Sequence, residues 1–458
     1  MTKRRTIPAL LAAAVGLSAT GAAHAADPTA ADMQAQIEAL KAKVEQLEQR
    51  KAAEPTFTQA DVETAVDSVL RDADRRTNLL AETGTFYGGY IDDKFQIRSA
   101  DGNFSLSPNV QFQFRYATNW RDRQKSQETD NTQSGFEVRR LKFGLEGHAF
   151  SKKVTYGFVW ATNRADSSTT IGGENGTVAT GGSLVLEEAW VRYQFADQFA
   201  VRAGSVKQLV FVETQTSSKR LQAVERSLVA EALFGGDAYS QVIELNYDNG
   251  KEGNVQAVLG FSDGYASRNT DFRDPSTNPF DFGVYGRLNY KVFGDWKSYT
   301  DHSALNNKKD LLVIGVGADW SQNGDQDVIR WAADAQYESG RLSAVVAITG
   351  RYTNNRAADS EIHDLGALAQ VGYLVNPQWE VFGRWSMLCF DEEGTTGDTE
   401  FCEITAGVNY YLRGHSAKVQ LDVGWLPNGS PANFTSADIL SGSGEDQVYV
   451  RVQFQLLL

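Results

Sequence analysis

The chain is predicted to be all-β: a 16-stranded antiparallel transmembrane β-barrel, preceded by a periplasmic helical segment with coiled-coil character. Three observations predict it. From about Phe95 onward, sixteen runs of roughly ten residues alternate apolar and polar side chains. The connections between those runs alternate short and long. The chain also opens with the pattern of an export signal.

In chain order, Lys3, Arg4 and Arg5 precede the apolar run IPALLAAAVGL, which ends at the small residues Ala23 to Ala25. A basic head, a short apolar middle and a small-residue cut site read as a signal peptide over 1–25, cleaved after Ala25. The run is too short to anchor in a bilayer, and no later stretch approaches 18 consecutive apolar residues. Losing the three basic residues takes the net charge from −14 to −17. So acidic a balance disfavours non-specific binding to nucleic acid.

Residues 26–54 contain DMQAQIEALKAKVEQLEQR, in which Met33, Ile37, Leu40, Val44 and Leu47 are spaced 4, 3, 4, 3. That is a short heptad seam, and branched residues alternating with Leu favour a parallel dimer. Residues 55–93 read as a helical linker, opened by a Thr58 cap with Asp61 three residues on. The plainer reading of both stretches is a polar amphipathic linker.

The barrel is assigned to 94–458. A short hairpin at 94–106 precedes the sixteen runs. These fall at 109–120, 136–150, 154–163, 184–195, 199–209, 240–247, 255–262 and 281–292. The rest fall at 311–320, 328–337, 341–352, 364–375, 379–390, 401–412, 417–426 and 448–458. The final run, VYVRVQFQLLL, shows the rule: Val448, Val450, Val452, Phe454, Leu456 and Leu458 share one face. Tyr449, Arg451, Gln453 and Gln455 share the other, so the strand separates two environments. SKK, ADQ, ESG, NPQ and RGHS make tight turns, and long loops lie between them. Two connections break the pattern: 293–310 is long where a turn is due, and 321–327 is short where a loop is due. Strands of this length and number, with turns at one end and loops at the other, suit an outer-membrane barrel. Tyr116, Trp160, Tyr193, Tyr247, Tyr290, Trp320, Tyr337, Tyr410 and Trp425 fall near strand ends, as interfacial girdles do. A soluble sandwich or propeller also alternates, but the strand count and export signal oppose it.

If apolar faces meet lipid, the opposite faces line a lumen. Around RRLKFGLEGH, Leu141, Phe143 and Leu145 then point out, and Arg140, Lys142, Glu146 and His148 point in. The same rule puts Arg115, Arg192, Arg202, Arg287, Lys291, Arg330, Arg351, Arg384, Lys418 and Arg451 inside, with Glu188, Glu244, Asp319, Asp334, Glu380 and Asp422. Roughly twelve basic groups against seven acidic ones predict a lumen favourable to anions. The plainer reading is a mixed polar lining with Arg paired to Glu. The loop 210–237 is too apolar to sit in water, with Leu221, Val224, Leu228, Val229, Leu233 and Phe234. Folded into the barrel, it would bring Lys219, Arg220 and Arg226 to a constriction, partly offset by Glu225 and Glu231. It could equally pack at a subunit contact or over the mouth. The candidate solute-binding residues are Lys219, Arg220, Arg226, Arg140, Lys142, Arg192, Arg202, Lys207 and Arg115. Cys389 and Cys402 flank FDEEGTTGDTEF, and a hairpin that pairs Phe390 with Phe401 would pair them. In an exported protein this suggests a disulfide, with two free buried thiols as the alternative.

Three blocks resemble the phosphate-selective porin O/P family: FEVRRLKFGLEGHAF, LEEAWVRYQFADQFAVRAGSVKQLVFVE and TSSKRLQAVERSL. The resemblance covers about 94–458. It implies a sixteen-stranded trimeric outer-membrane porin whose third loop folds into the pore. Arginines along one wall and lysines at both ends would draw phosphate through. Of the loop positions, Lys219, Arg220 and Arg226 carry over. The implied trimer is preferred over the dimer hinted at by so short a heptad seam.

The expected function is therefore a passive outer-membrane channel for anionic, phosphate-like solutes. A general diffusion or sugar porin of the same fold is the nearest rival. A structural envelope protein is the rival of another class, holding peptidoglycan or a periplasmic partner through the coiled coil. No cofactor is expected. His148, His302, His363 and His415 lack Ser and Asp at triad spacing, so no enzyme is expected either.

Overall fold

The computed structural model describes residues 30–52, 67–68, 86–91, 94–122, 132–162, 167–170, 177–180, 183–268, 280–299, 301–394, 398–443 and 445–458. The chain divides into two units, Met1–Thr77 and Asn78–Leu458. In the first unit, helix α1 runs from Ala30 to Ala52. Ile37, Leu40 and Val44 along the heptad seam are exposed. The side chains of Met33 and Leu47, and the signal peptide over 1–25, lie outside the described residues.

The second unit is one antiparallel sheet closed on itself. Its sixteen barrel strands are β1 Ser105–Arg121, β2 Thr132–Ala149, β3 Ser151–Thr162, β4 Leu184–Gln194, β5 Phe199–Lys207, β6 Tyr239–Asp248, β7 Val255–Ser262 and β8 Phe282–Phe293. They continue as β9 Leu311–Asn323, β10 Gln326–Ser339, β11 Leu342–Asn355, β12 Ser360–Asn376, β13 Trp379–Cys389, β14 Glu400–Arg413, β15 Ala417–Leu426 and β16 Gln447–Leu457. Neighbours in sequence pair throughout, and β16 returns to β1 with Val452 opposite Tyr116 and Gln455 opposite Gln113. Closure leaves no open edge among the barrel strands, as hydrocarbon requires. The strand Phe86–Ile91 pairs with Lys94–Ser99, so the sheet begins inside the stretch assigned to the helical linker. Most of that linker is outside the described residues, and only Asp67 and Ser68 show helical backbone.

Burial confirms which face is which. On β16, Gln453 is 0% exposed and its neighbour Val452 is 43% exposed. Val316, Val346, Ile348, Val371, Ile404 and Leu421 likewise stand exposed on the outer surface. Polar inside and apolar outside is the inverse of a soluble barrel and suits a lipid surround. Tyr193, Tyr290 and Tyr337 are exposed near the turn end, and Trp320 and Trp425 near the loop end. Both irregular connections are real. Between β9 and β10 the chain turns with Asn323 opposite Gln326. Between β8 and β9 it makes a long excursion containing a 3-10 turn, Ala304–Asn306.

Two bulges reset the alternation. Gln113 faces Arg140 but Phe114 faces Val138, so Arg139 is the extra residue on β2. Val159 faces Glu188 but Trp160 faces Leu186, which makes Glu187 the extra residue on β4. A bulge re-aims its extra side chain, and here each charge turns into the lumen.

The expected Cys389–Cys402 disulfide is absent. Cys389 lies opposite Glu400 and Cys402 opposite Met387, two positions out of the register a bridge needs, and both thiols are free. Diagonal strand neighbours sit about 7–8 Å apart, beyond comfortable disulfide reach. The purified protein should therefore show the same gel mobility with and without reductant, and denaturation should yield two maleimide-reactive thiols. Val452→Arg should destabilise the barrel by about 2–4 kcal/mol in lipid-vesicle unfolding, the cost of a cation near the bilayer midplane.

Candidate functional site

The site is the lumen and the loop that enters it. The connection from β5 to β6, residues 208–238, is L3. Its sequence contains two short helices, α2 Val212–Gln215 and α3 Leu228–Phe234. Ser227 caps α3 by accepting from the Ala230 N–H, and Gly235 closes it with a left-handed backbone at φ 61°. Phe211 stacks on Phe234 at 5.0 Å, and Leu228, Val229 and Leu233 are buried with them. This small apolar core explains why the loop is not extended in water.

L3 is inside the barrel, because inward-facing wall residues hold it. Gln222 Nε2 donates to Glu380 Oε1 on β13 (2.7 Å), and Gln370 Nε2 on β12 donates to Gln222 Oε1 (2.8 Å). Lys418 Nζ on β15 donates to the Leu221 carbonyl (2.8 Å). Asp422 accepts the Val224 N–H and Glu403 accepts the Leu228 N–H, each at 2.9 Å. On the other side, Gln113 Nε2 of β1 donates to the Ser218 carbonyl (3.1 Å) and Gln455 Nε2 of β16 to the Lys219 carbonyl (2.9 Å). Two wall glycines admit the loop: a Cβ on Gly317 would stand 2.5 Å from the Val210 carbonyl oxygen, and one on Gly372 would meet Gln222.

The loop's charges meet those of the wall at three carboxylates: Glu213, which pairs with Arg384 of β13 (3.2 Å), Glu225 and Asp237. Glu225 accepts from Arg115 (2.8 Å), Arg139 (2.6 Å) and Arg140 (2.8 Å). Burial alone would raise its carboxyl; Arg139, Arg140 and Arg115 overcome that and hold it well below the usual range. Asp237 takes Arg226 (2.9 Å) and Lys207, with Arg140 at 3.5 Å. Burial opposes ionisation there too, and Arg226, Lys207, Lys142 and Arg140 hold the carboxyl well down. Loop β15–β16 also reaches in, with Asp438 accepting from Arg115 (2.9 Å). Burial pushes the Asp438 carboxyl up to about 6 despite Arg115 and Arg451.

The nine candidate residues fall into two groups. Six are tied into ion pairs: Arg115, Arg140, Lys142 with Glu187 (2.6 Å), Arg202 with Glu244 (2.6 Å), Lys207 and Arg226. Farther round the wall Arg287 pairs with Asp334, Arg330 with Asp319, Arg351 with Asp364, Arg384 with Glu403 and Arg451 with Asp422. The lining is therefore far closer to neutral than the excess of arginines suggested. Glu137, Glu187, Asp364 and Glu403 supply acids that the sequence reading did not place. Strict alternation already put Asp364 and Glu403 inside; Glu187 needed the bulge. Arg139 also reaches the lumen unforeseen, although adjacent arginines in FEVRRLKF cannot both face in without a bulge.

The second group comprises Lys219, Arg192 and Arg220. Arg220 is exposed at the L3 tip. Lys219 and Arg192 have no ion pair among the described residues. Burial lowers the Lys219 ammonium from its ordinary value, and Lys142 nearby adds to this. Lys219 opens onto a cavity of about 210 Å³ between the L3 tip and the wall of β1–β6, shared with Lys142, Glu188, Trp190 and Lys207. That is room for several waters or a small oxyanion, at ~30 Å³ per water. Glu188 is the carboxylate there with no ion pair among the described residues.

Removing Glu225 should unseat the loop. Glu225→Gln removes the charge that three guanidiniums share, and breaking a buried pair costs about 3–5 kcal/mol. Limited proteolysis of the folded barrel should then cut within 208–238, where the unaltered protein resists.

Comparisons with known proteins agree with this architecture. The profile of the family described as phosphate-selective porin O and P matches residues 109–456. An uncharacterized protein of Aquifex aeolicus is 26% identical over 264 residues, which is 53% of this chain and 63% of the relative. The match thus spans under two thirds of that relative's length. Among solved structures, the anion-selective porin from Comamonas acidovorans superposes with a TM-score of 0.53 at 14% identity, over 78% of this chain and all of that one. At that identity the likeness speaks for the fold. The barrel, the inward loop and the match over most of the strands together make this chain a member of the phosphate-selective porin O and P family, an outer-membrane channel.

Proposed function

We propose that the channel passes small anions, phosphate-like ones among them, through the space between the L3 tip and the β1–β6 wall. The observation that carries this reading is the pair of cations with no ion pair among the described residues, Lys219 on the loop and Arg192 on the wall. Arg192 lies directly across from Arg202, whose ion pair among the described residues is with Glu244. Like charges placed opposite each other are unfavourable unless something anionic visits. In a low-dielectric wall such charges focus the field on the passing ion. The shared carboxylates add to it: Glu225 and Asp237 each serve more than one cation, so the clusters do not cancel residue by residue. Arg140, Lys142, Lys207, Arg115, Arg202 and Arg226 would then frame the passage, with Lys219, Arg192 and Arg220 as the groups that meet the solute.

The assembled form we propose is a homotrimer in outer-membrane lipid. Segment 26–54 would act in the periplasm on a second copy, peptidoglycan or another partner. Deleting 27–80 should leave permeability intact; loss of cell-wall attachment in that variant would support the envelope-anchor role for the segment.

Selectivity is read from reversal potentials across planar bilayers in a salt gradient. The unaltered channel should favour chloride and be blocked by millimolar phosphate. Lys219→Glu with Arg192→Glu should lower anion preference on the order of tenfold. Anion preference unchanged in the double variant removes these two groups from the mechanism. A channel with no ion preference from the outset would be a general diffusion or sugar porin.

A further inference from the structure

The connection from β8 to β9 stands at the end of the barrel where the other connections are tight turns. It does not hang outside. Ser298, Asp301, His302, Ser303 and Ala304 are all buried. Its root is fixed by Trp296 Nε1 donating to the Gly253 carbonyl (2.8 Å) and by Arg287 Nη2 donating to the Tyr299 hydroxyl (3.1 Å). Its middle crosses toward strands several places away. Gln336 Nε2 on β10 donates to the Asp301 carbonyl (2.7 Å), and Ser303 Oγ donates to Glu380 Oε1 on β13 (2.7 Å). Ala304 packs with Leu374 of β12 and Tyr411 of β14. The far side of the turn after β14 closes on it, with His415 3.6 Å from Asp301.

This segment also touches L3. Thr216 Oγ1 and His302 Nε2 are 3.0 Å apart, just before the L3 tip. Glu380 receives both insertions at once, Gln222 from L3 and Ser303 from below, while Tyr411 OH donates to its other oxygen (2.5 Å). We propose that residues 294–299 and 301–310 are a second constriction element: they fill the lumen beneath L3 on the β8–β14 side and clamp its tip from below. Solutes are thereby confined to the β1–β6 side. The segment sets the width of the passage, and it does so through the neutral Thr216–His302 contact and the Ser303 hydroxyl on Glu380. Burial keeps His302 neutral by pushing its imidazole down to about 4.

The test separates width from charge. Residues 295–309 are replaced by an Asn-Gly turn in the full chain. A second variant, Thr216→Val with His302→Ala and Ser303→Ala, only loosens the clamp. Single-channel conductance and the size cut-off for neutral polyethylene glycols are measured in planar bilayers. The shortened channel should conduct on the order of twofold more and admit larger polymers. The triple variant should show noisier open-channel current and a raised cut-off, with the reversal potential unchanged. Unchanged conductance and cut-off in a folded, heat-modifiable shortened barrel would overturn the proposal. Should that barrel fail to fold, unchanged noise and cut-off in the triple variant would overturn it equally. Neutral-polymer exclusion does not depend on ion preference, so this proposal and the anion reading fail separately.

Discussion

Everything in this molecule follows from one demand of hydrocarbon: each backbone N–H and C=O must find its partner within the protein. Pairing β16 to β1 meets that demand for the last two strands, and the consequences run inward. A closed sheet has an outside that meets lipid, so its alternate residues are Val, Ile, Leu and aromatic. The remaining alternate residues have no lipid to meet and are free to be charged. Those charges then dictate what the lumen can hold. The register of the closing pair thus decides, two steps later, where Arg115 and Arg451 point.

The second organising fact is that L3 is a desolvating object. Once it lies against β12–β16, wall groups that would have faced water are buried with it. A buried guanidinium with no counter-charge costs several kcal/mol, so each must be matched as the loop docks. The matching is visible in Arg384, which meets Glu403 of the wall and Glu213 of the loop, and in Glu225, which draws together Arg115, Arg139 and Arg140. The ion pairs are thus largely the consequence of insertion. They fix the loop's position better than its own short helices could, because helices of this length are marginal alone.

How much of this was legible in the sequence depends on what period-two reasoning can see. It located all sixteen barrel strands and the outward set of β16, because one residue of slip would turn every side chain to the wrong face. It identified L3 as a packed element from Leu221 to Phe234. It failed where the alternation is broken or where register is fixed by distant contacts. The bulges at Arg139 and Glu187 each add one residue and so escape a strict count. A two-position error in the β13–β14 hairpin invented the Cys389–Cys402 bridge. The length of the β8–β9 connection was plain, but its destination was not. Nothing local to Asp301, His302 and Ser303 says that Glu380, Gln336 and Thr216 await them across a lumen. Likewise the arginines were countable, while their acids were partly contributed by L3 and by Asp438.

That last point bears on how such a lining can discriminate at all. A wall whose cations are each matched one to one presents dipoles, and the field of a dipole falls off faster than that of a charge. Matching is uneven here. Asp237 serves Lys207 and Arg226, and Glu225 serves three arginines, while Arg115 alone meets three acids, Glu225, Glu137 and Asp438, so the cluster comes close to balance without one-to-one pairs. On the proposed reading, Lys219 and Arg192 then add cations that have no ion pair among the described residues. Glu188 lines the same cavity as Lys219, and an acid there would keep the site from becoming a trap. An anion held by every arginine in the lumen would bind too tightly to leave, whereas conduction needs attraction that is sufficient and shallow. Burying most of the basic groups in ion pairs, and leaving few bare, is a physical route to that balance. On the proposed reading it also divides the labour: the paired arginines would hold the aperture's shape, and Lys219 and Arg192 would set its sign.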